Sequence, residues 1–262
     1  MPSVAARRPR CIVSVAPWAI AALVLAAAAP ARAERVADAF PPPEGATRVP
    51  TDAFGAHLRG LALRGAEVPV RTHAGAVVGH DARVIDLPLV KGDLQQCADS
   101  ILRVRAEWLR ATGAVSALTF RATSGDPIPW ARYRDGGRPR AQGSGLTWVD
   151  GGAPGSWDGW LSAVFTWAGT RSLAAYETVP VGAPRAGDVV VVGGSPGHAV
   201  LLLDVAVRGA ETFVLVGEGF MPAQDFHVER GPVAGWWPWT AAGLALPHWP
   251  MPASGLRRFP PR

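Results

Sequence analysis

The chain has 262 residues, with 26 Lys and Arg against 21 Asp and Glu and a formal net charge of +5. Four of those charges are arginines of residues 1–33, a segment without acids, so the remainder carries only +1 and holds one lysine, Lys91. That excludes a basic nucleic-acid footprint. Beyond Cys11 the only cysteine is Cys97, which excludes an internal disulfide and a zinc site built on cysteines.

Arg7, Arg8 and Arg10 precede an apolar run from Ala16 to Ala29, and Ala31-Arg32-Ala33 supplies a small-x-small cleavage pattern. Residues 1–33 therefore read as a signal peptide, with export to the periplasm or cell envelope expected. The run of about 14 residues is too short for a membrane span, so no stable span is expected after cleavage. Residues 34–50, with Pro41-Pro42-Pro43 and Pro50, read as a Pro-rich linker. A single domain is expected over 51–250, followed by a tail at 251–262.

Within the domain, Phe54, Leu58 and Leu61 give a short helix over 53–63, and residues 84–90 resemble a strand. The best-defined element is a helix from Leu94 to about Ala111, with Asp93 as cap and Ala98, Ile101, Leu102, Trp108 and Leu109 as its buried stripe. Residues 115–122 are β-like, and 123–155, rich in Gly, Pro, Arg and Asp, reads as an irregular functional loop. Ser156 caps a second helix whose Trp157, Trp160, Leu161, Val164 and Trp167 share one side. Three apolar runs follow at 188–192, 198–207 and 212–216, separated by turn residues, which predicts an antiparallel sheet and an α+β fold.

Cys97 is the residue with most to explain. Near a helix N-terminus the partial positive charge favours a thiolate, which suits a nucleophile; equally, cysteine is a common small core residue. A base is supplied by His198, which opens an apolar strand after Ser195-Pro196-Gly197. Pairing 198–207 with 211–219 about Arg208-Gly209-Ala210 puts Glu218 or Gly219 opposite His198, where Glu218 can orient the imidazole. Gln95, Gln96 and the Cys97 N–H are the oxyanion donors in range. A metal set of His198, His227, Asp204 and Asp225 lacks the tight histidine spacing of a zinc motif, so no metal or other cofactor is assigned. Trp236, Trp237 and Trp239, near Trp249, are either core or the wall of a groove for a glycan or peptide, with Gln224 beside them as a further substrate contact.

The blocks Ala53-Phe54-Gly55-Ala56-His57-Leu58-Arg59, Asp93-Leu94-Gln95-Gln96-Cys97-Ala98-Asp99, Val164-Phe165-Thr166-Trp167-Ala168-Gly169-Thr170, Gly193-Gly194-Ser195-Pro196-Gly197-His198-Ala199 and Met221-Pro222-Ala223-Gln224, in that order, resemble the exported bacterial family called domain of unknown function 4846. That resemblance spans about residues 51–250 and implies an extracytoplasmic bacterial protein; at the position of Glu218 it implies Gln. More loosely, a helix-start cysteine followed by Gly187-Asp188 and Gly197-His198 strands is similar to papain-like cysteine peptidases and amidases of the cell wall, although about 100 residues separate Cys97 from His198. Together these readings lead to a papain-like α+β domain that cleaves an amide bond of an envelope substrate, with peptidoglycan peptides as the guess from compartment. The alternatives are a non-catalytic glycan- or peptide-binding module with a Trp-lined groove, and a zinc-dependent hydrolase around His198 and His227. Expected partners are small molecules, peptides or glycans of the envelope.

Overall fold

The computed structural model describes Ser3 and residues 33–261. The expected export signal, Ser3 and Ala33 apart, lies outside the described residues. No helix among the described residues is long and apolar enough to cross a membrane.

The molecule is an α+β domain built on one antiparallel sheet of nine strands. In chain order these are β1 (Thr47–Arg48), β2 (Ala82–Val84), β3 (Val179–Pro180), β4 (Asp188–Val192), β5 (His198–Arg208), β6 (Glu211–Glu218), β7 (His227–Glu229), β8 (Trp237–Trp239) and β9 (Leu256–Arg258). Across the sheet the order is β2-β7-β6-β5-β4-β9-β3, with β1 on the far end of β5 and β8 on β6. The centre is the β5–β6 hairpin, and its turn glycine, Gly209, takes φ +58°. Strand β5 is apolar from Ala199 to Leu203 because both faces are covered there, and its Asp204 is buried against two arginines. Ala199, Leu201 and Leu203 face the helices, while Val200, Leu202 and Val205 face a second core with Trp237, Leu244, Leu246 and Met251.

Three helices matter for the site: α1 (Ala53–Arg59), α2 (Cys97–Ala111) and α3 (Trp157–Trp167). Asp52 caps α1 by accepting the Gly55 N–H, and Ser156 caps α3 by accepting the Gly159 N–H at 3.1 Å. Helix α2 lays Ala98, Ile101, Leu102 and Leu109 into the core as its periodicity predicts. Each fully buried aliphatic side chain there contributes about 1.5–3 kcal/mol, far more than helix propensity supplies.

Several boundaries differ from the sequence reading. Residues 34–50 are not a tether: Val36 and Phe40 are buried in the core, and β1 pairs with β5. Arg48 reaches across to the buried Asp204 at 2.6 Å, where Arg59 of α1 also binds. The segment 251–262 is not a tail, because β9 fills the place between β4 and β3, and Arg258 pairs with Asp188 at 2.6 Å. Residues 123–155, expected to be irregular, contribute the strand Pro127–Pro129, which pairs with Thr119–Arg121 of the β-like stretch, and the hairpin Arg138–Gln142 with Gly145–Val149, and bury Ile128. Only Ala82–Val84 forms the strand expected at 84–90, and α1 stops at Arg59.

Candidate functional site

The chain is braced before α2 begins. Asp93 Oδ1 accepts the Ala223 N–H at 2.6 Å and the Gln96 side-chain amide at 3.3 Å. The Ala223 hydrogen bond is the main reason the Asp93 carboxyl sits below the usual carboxylate range. Helix α2 starts at Cys97 itself, with Gln96 as its N-cap and Asp99 Oδ2 accepting the Gln96 N–H at 3.0 Å. Cys97 is thus the first helical residue rather than the fourth, and Asp93 ties the helix start to the loop after β6. That loop approaches closely because Gly219 has no side chain: a Cβ there would meet Ser100 Oγ at 2.7 Å and the Gln96 carbonyl at 3.1 Å.

A cavity of about 480 Å³ opens over this helix start, lined by Gln96, Cys97, Phe165, Thr170 and the Gly194-Ser195-Pro196-Gly197 turn among others. The turn fits only with glycine at 197, where a Cβ would lie 2.4 Å from Thr170 Oγ1 and 2.7 Å from the Val192 carbonyl. A larger cavity of about 820 Å³ near Phe54 and Trp108 is lined by none of the candidate catalytic or substrate-binding residues.

His198 opens β5 immediately after that turn and is fully buried. Its Nε2 lies 2.6 Å from Glu218 Oε1, and its Nδ1 has no hydrogen-bond partner. The backbone N–H of the next residue, Ala199, faces the Cys97 sulfur and favours its thiolate. The β5–β6 register differs from the simple hairpin: a bulge between Leu215 and Val216 makes Gly217 the partner of Leu201. Continuing that register sets Glu218 level with Val200, so His198 is its diagonal neighbour on the same face. On its other side Glu218 is paired directly with His227, and its Oε1 also lies 2.7 Å from His248 Nε2. Burial alone would raise the Glu218 carboxyl, but the hydrogen bonds from His198 and His248 outweigh it and hold the group at about 2. The same contact raises His248 above its ordinary value.

The thiol behaves otherwise than its helix position suggests. Burial, followed by the negative charge of Asp99, pushes Cys97 up to about 11, and the Ala199 and Ala98 N–H groups only partly offset this. Asp99 is itself displaced, to about 8, by burial. A carboxyl raised in this way keeps its full stability contribution below its ordinary value of 3.8 and loses it as pH rises towards 8. Asp99→Asn keeps an acceptor for the Gln96 N–H without the charge. It is expected to match the parent in urea unfolding below pH 4 and to exceed it by on the order of 3 kcal/mol above pH 8; equal stabilities at both pH values would refute the assignment.

Other residues singled out from sequence lie elsewhere. Gln95 is fully buried and uses its Oε1 to accept from Arg103 Nη1 at 2.8 Å and the Val90 N–H at 3.3 Å, so Gln96, not Gln95, faces the cavity. Trp236 is core, with its indole N–H on the Pro41 carbonyl, and Trp237 is core with its N–H on the Glu229 carbonyl. Trp239 packs half-buried against the same second core. None of the three lines a groove with Cys97. Gln224 is buried against His80 at 3.3 Å. The carboxylates of Asp204 and Asp225 are engaged by Arg48, Arg59 and Arg64, and neither groups with His198 or His227 as a metal ligand.

What the sequence reading missed is the company Glu218 keeps. His80, from the loop before β2, stacks on His227 at 5.0 Å between ring centres and lies 5.6 Å from His248. Glu229 Oε2 is 3.4 Å from His227 Nε2 and 3.6 Å from His80 Nδ1. His227 and Glu229 alternate on one strand and could have been noticed together. His80 and His248 come from loops, and no local pattern announces them.

No curated protein and no solved structure matches the chain. The family described as domain of unknown function (4846) matches residues 36–258, a span that takes in Cys97, His198, Glu218 and the strands that carry them. The chain belongs to the domain of unknown function 4846 family.

Proposed function

We propose that this protein is a papain-like thiol hydrolase or acyl transferase acting on an amide bond of an envelope substrate, with Cys97 as nucleophile, His198 as base and Glu218 as orienter. The observation that carries the reading is the state of His198: Nε2 is held on the Glu218 carboxylate at 2.6 Å, Nδ1 is without a hydrogen-bond partner, and the next residue, Ala199, brings its backbone N–H near enough to the Cys97 sulfur to favour the thiolate. With Nε2–H donating to an ionised Glu218, the lone pair of the neutral ring is on Nδ1, the nitrogen nearer the backbone.

In this mechanism the sulfur attacks the substrate carbonyl carbon as it loses its proton. The His198 ring lies with Glu218 and Trp249 on the sheet face away from α2, so the Cys97 S–H proton has to reach His198 Nδ1 through an intervening water or substrate group. The oxyanion is met by the Cys97 backbone N–H and the Gln96 side-chain amide, which faces the same cavity. Collapse breaks the C–N bond, the His198 proton leaves on the amine, and the acyl group stays on sulfur as a thioester. Water or an acceptor amine then takes the acyl group, with His198 again accepting and returning one proton. The cavity at the Gly194-Gly197 turn receives the acyl side of the substrate.

The test is trapping. Protein incubated with muropeptide mixtures and acid-quenched is expected to carry a Cys97-linked acyl mass that is absent from Cys97→Ala and accumulates little in His198→Ala. If folded protein neither turns over such peptides nor forms an adduct at Cys97, the reading fails.

A further inference from the structure

We propose that His80, His227, His248 and Glu229 bind one divalent transition-metal ion of the zinc class, on the sheet face opposite α2. The inference is independent of the thiol chemistry. Glu229 is shared by two groups whose ligand atoms lie within 4.8 Å of one another, the first of His80, Glu229 and His248 and the second of Glu218, His227 and Glu229. His227 stands outside the first group and closes on the ion as the fourth ligand. Glu229 Oε2 lies 3.4 Å from His227 Nε2 and 3.6 Å from His80 Nδ1. These separations are too long for hydrogen bonds, yet close to the roughly 3.3 Å that separates two ligands of a tetrahedral ion with bonds of 2.0–2.1 Å.

The hydrogen-bond inventory points the same way. His227 is fully buried, and its Nδ1 lies 2.9 Å from the Asp225 carbonyl, which can only accept. A proton is therefore on Nδ1, and Nε2, without a hydrogen-bond partner, faces only the Glu229 carboxylate at 3.4 Å. A ligand histidine is held in this way, its second nitrogen donating to a backbone carbonyl. Glu229 Oε2 and Glu218 Oε2 are likewise buried without hydrogen-bond partners, and Glu218, His227 and Glu229 each offer a ligand atom within 4.8 Å of the others. Three unpartnered acceptors facing one another repel unless a cation or proton lies among them.

His80 completes the set from the more open side. Its Nε2 is 3.3 Å from the Gln224 side-chain amide. With the amide oxygen turned to that position, His80 Nε2–H has an acceptor and Nδ1 is free to ligate. Three imidazoles and one carboxylate suit zinc or another borderline ion rather than calcium or magnesium, which take oxygen ligands. Such an ion would join the loop before β2, strand β7 and the loop after Leu246, segments remote in sequence. It would also lie beside the Glu218 carboxylate that holds His198.

Zinc is the probe. Protein stripped with chelator and dialysed against buffered micromolar zinc is expected to hold one ion per chain by mass spectrometry of the metal, and its cobalt form to show the visible bands of a tetrahedral site. Cys97→Ser is expected to bind as the parent does, which separates this site from the nucleophile. His80→Ala, at a half-exposed position where folding should survive, and Glu229→Gln are each expected to weaken binding by at least about tenfold. Absence of saturable binding in the parent overturns the proposal, as does unchanged affinity in a folded His80→Ala protein.

Discussion

Alkylation of Cys97 by iodoacetamide is expected to be slow at pH 7 and to accelerate about tenfold for each pH unit, over roughly four decades, before levelling near the thiol's ionisation. The expectation follows from competing magnitudes at one sulfur. The first-turn amides of α2 and the Ala199 N–H favour a thiolate, but burial and the Asp99 charge oppose it more strongly and raise the thiol to about 11. The cavity still gives a small electrophile access. In the proposed mechanism the thiol then has to lose its proton to a general base during attack, because a thiol raised to about 11 is not a standing thiolate in the free protein. His198→Ala should therefore leave neutral-pH alkylation nearly unchanged while removing turnover. A rate that levels off below pH 7, and that falls when His198 is replaced, would establish a preformed ion pair and reject this account. Asp99→Asn should move the alkylation profile to lower pH, because it removes the charge second in importance to burial.

Particular residues show how far sequence reaches in this protein. The stripe of α2 and the apolar runs of β4, β5 and β6 were legible because period and burial agree there. The association of His198 with Glu218 was legible from hairpin arithmetic, although the bulge between Leu215 and Val216 makes them diagonal neighbours and not a facing pair. Local reading failed where the decisive contact is remote. Pro-rich residues 34–50 looked like a tether, yet Val36 and Phe40 complete the core and Arg48 meets Asp204, far along the chain. Helix position suggested an acidic thiol, but burial, which no local pattern displays, reversed the direction. The tryptophans near the C-terminus could serve a groove or a core with the same spacing, and Trp236 and Trp237 have their indole N–H groups satisfied by carbonyls of the fold. Gln95 and Gln96 are indistinguishable by type. Only the turn into α2 decides that the first serves Arg103 and the second faces the cavity.

Glu218→Ala is expected to destabilise the fold by about 3–5 kcal/mol, the range for removing one member of a buried charged pair. The carboxylate Oε1 is the sole hydrogen-bond acceptor recorded for both His198 Nε2 and His248 Nε2, and the His198 side chain is fully buried, so truncation strands a donor where water does not reach. Glu218→Gln separates the structural from the electrostatic share. Its amide oxygen can replace Oε1, so it should cost about 1 kcal/mol and retain much of the turnover, in keeping with the Gln implied there by the family resemblance. The pH dependence differs as well. A carboxyl depressed to about 2 contributes fully above its ordinary 4.5 and loses that contribution as pH falls towards 2; the raised His248 contributes fully below 6.5 and loses its share as pH rises through its higher folded value. The pair is therefore strongest between about 4.5 and 6.5, and urea unfolding across pH 2 to 8 should show that maximum in the parent but not in Glu218→Gln. Equal stability of Glu218→Ala and parent at pH 5.5 would mean that the imidazoles find other partners, and Glu218 would then lose its place as the group that sets the His198 tautomer.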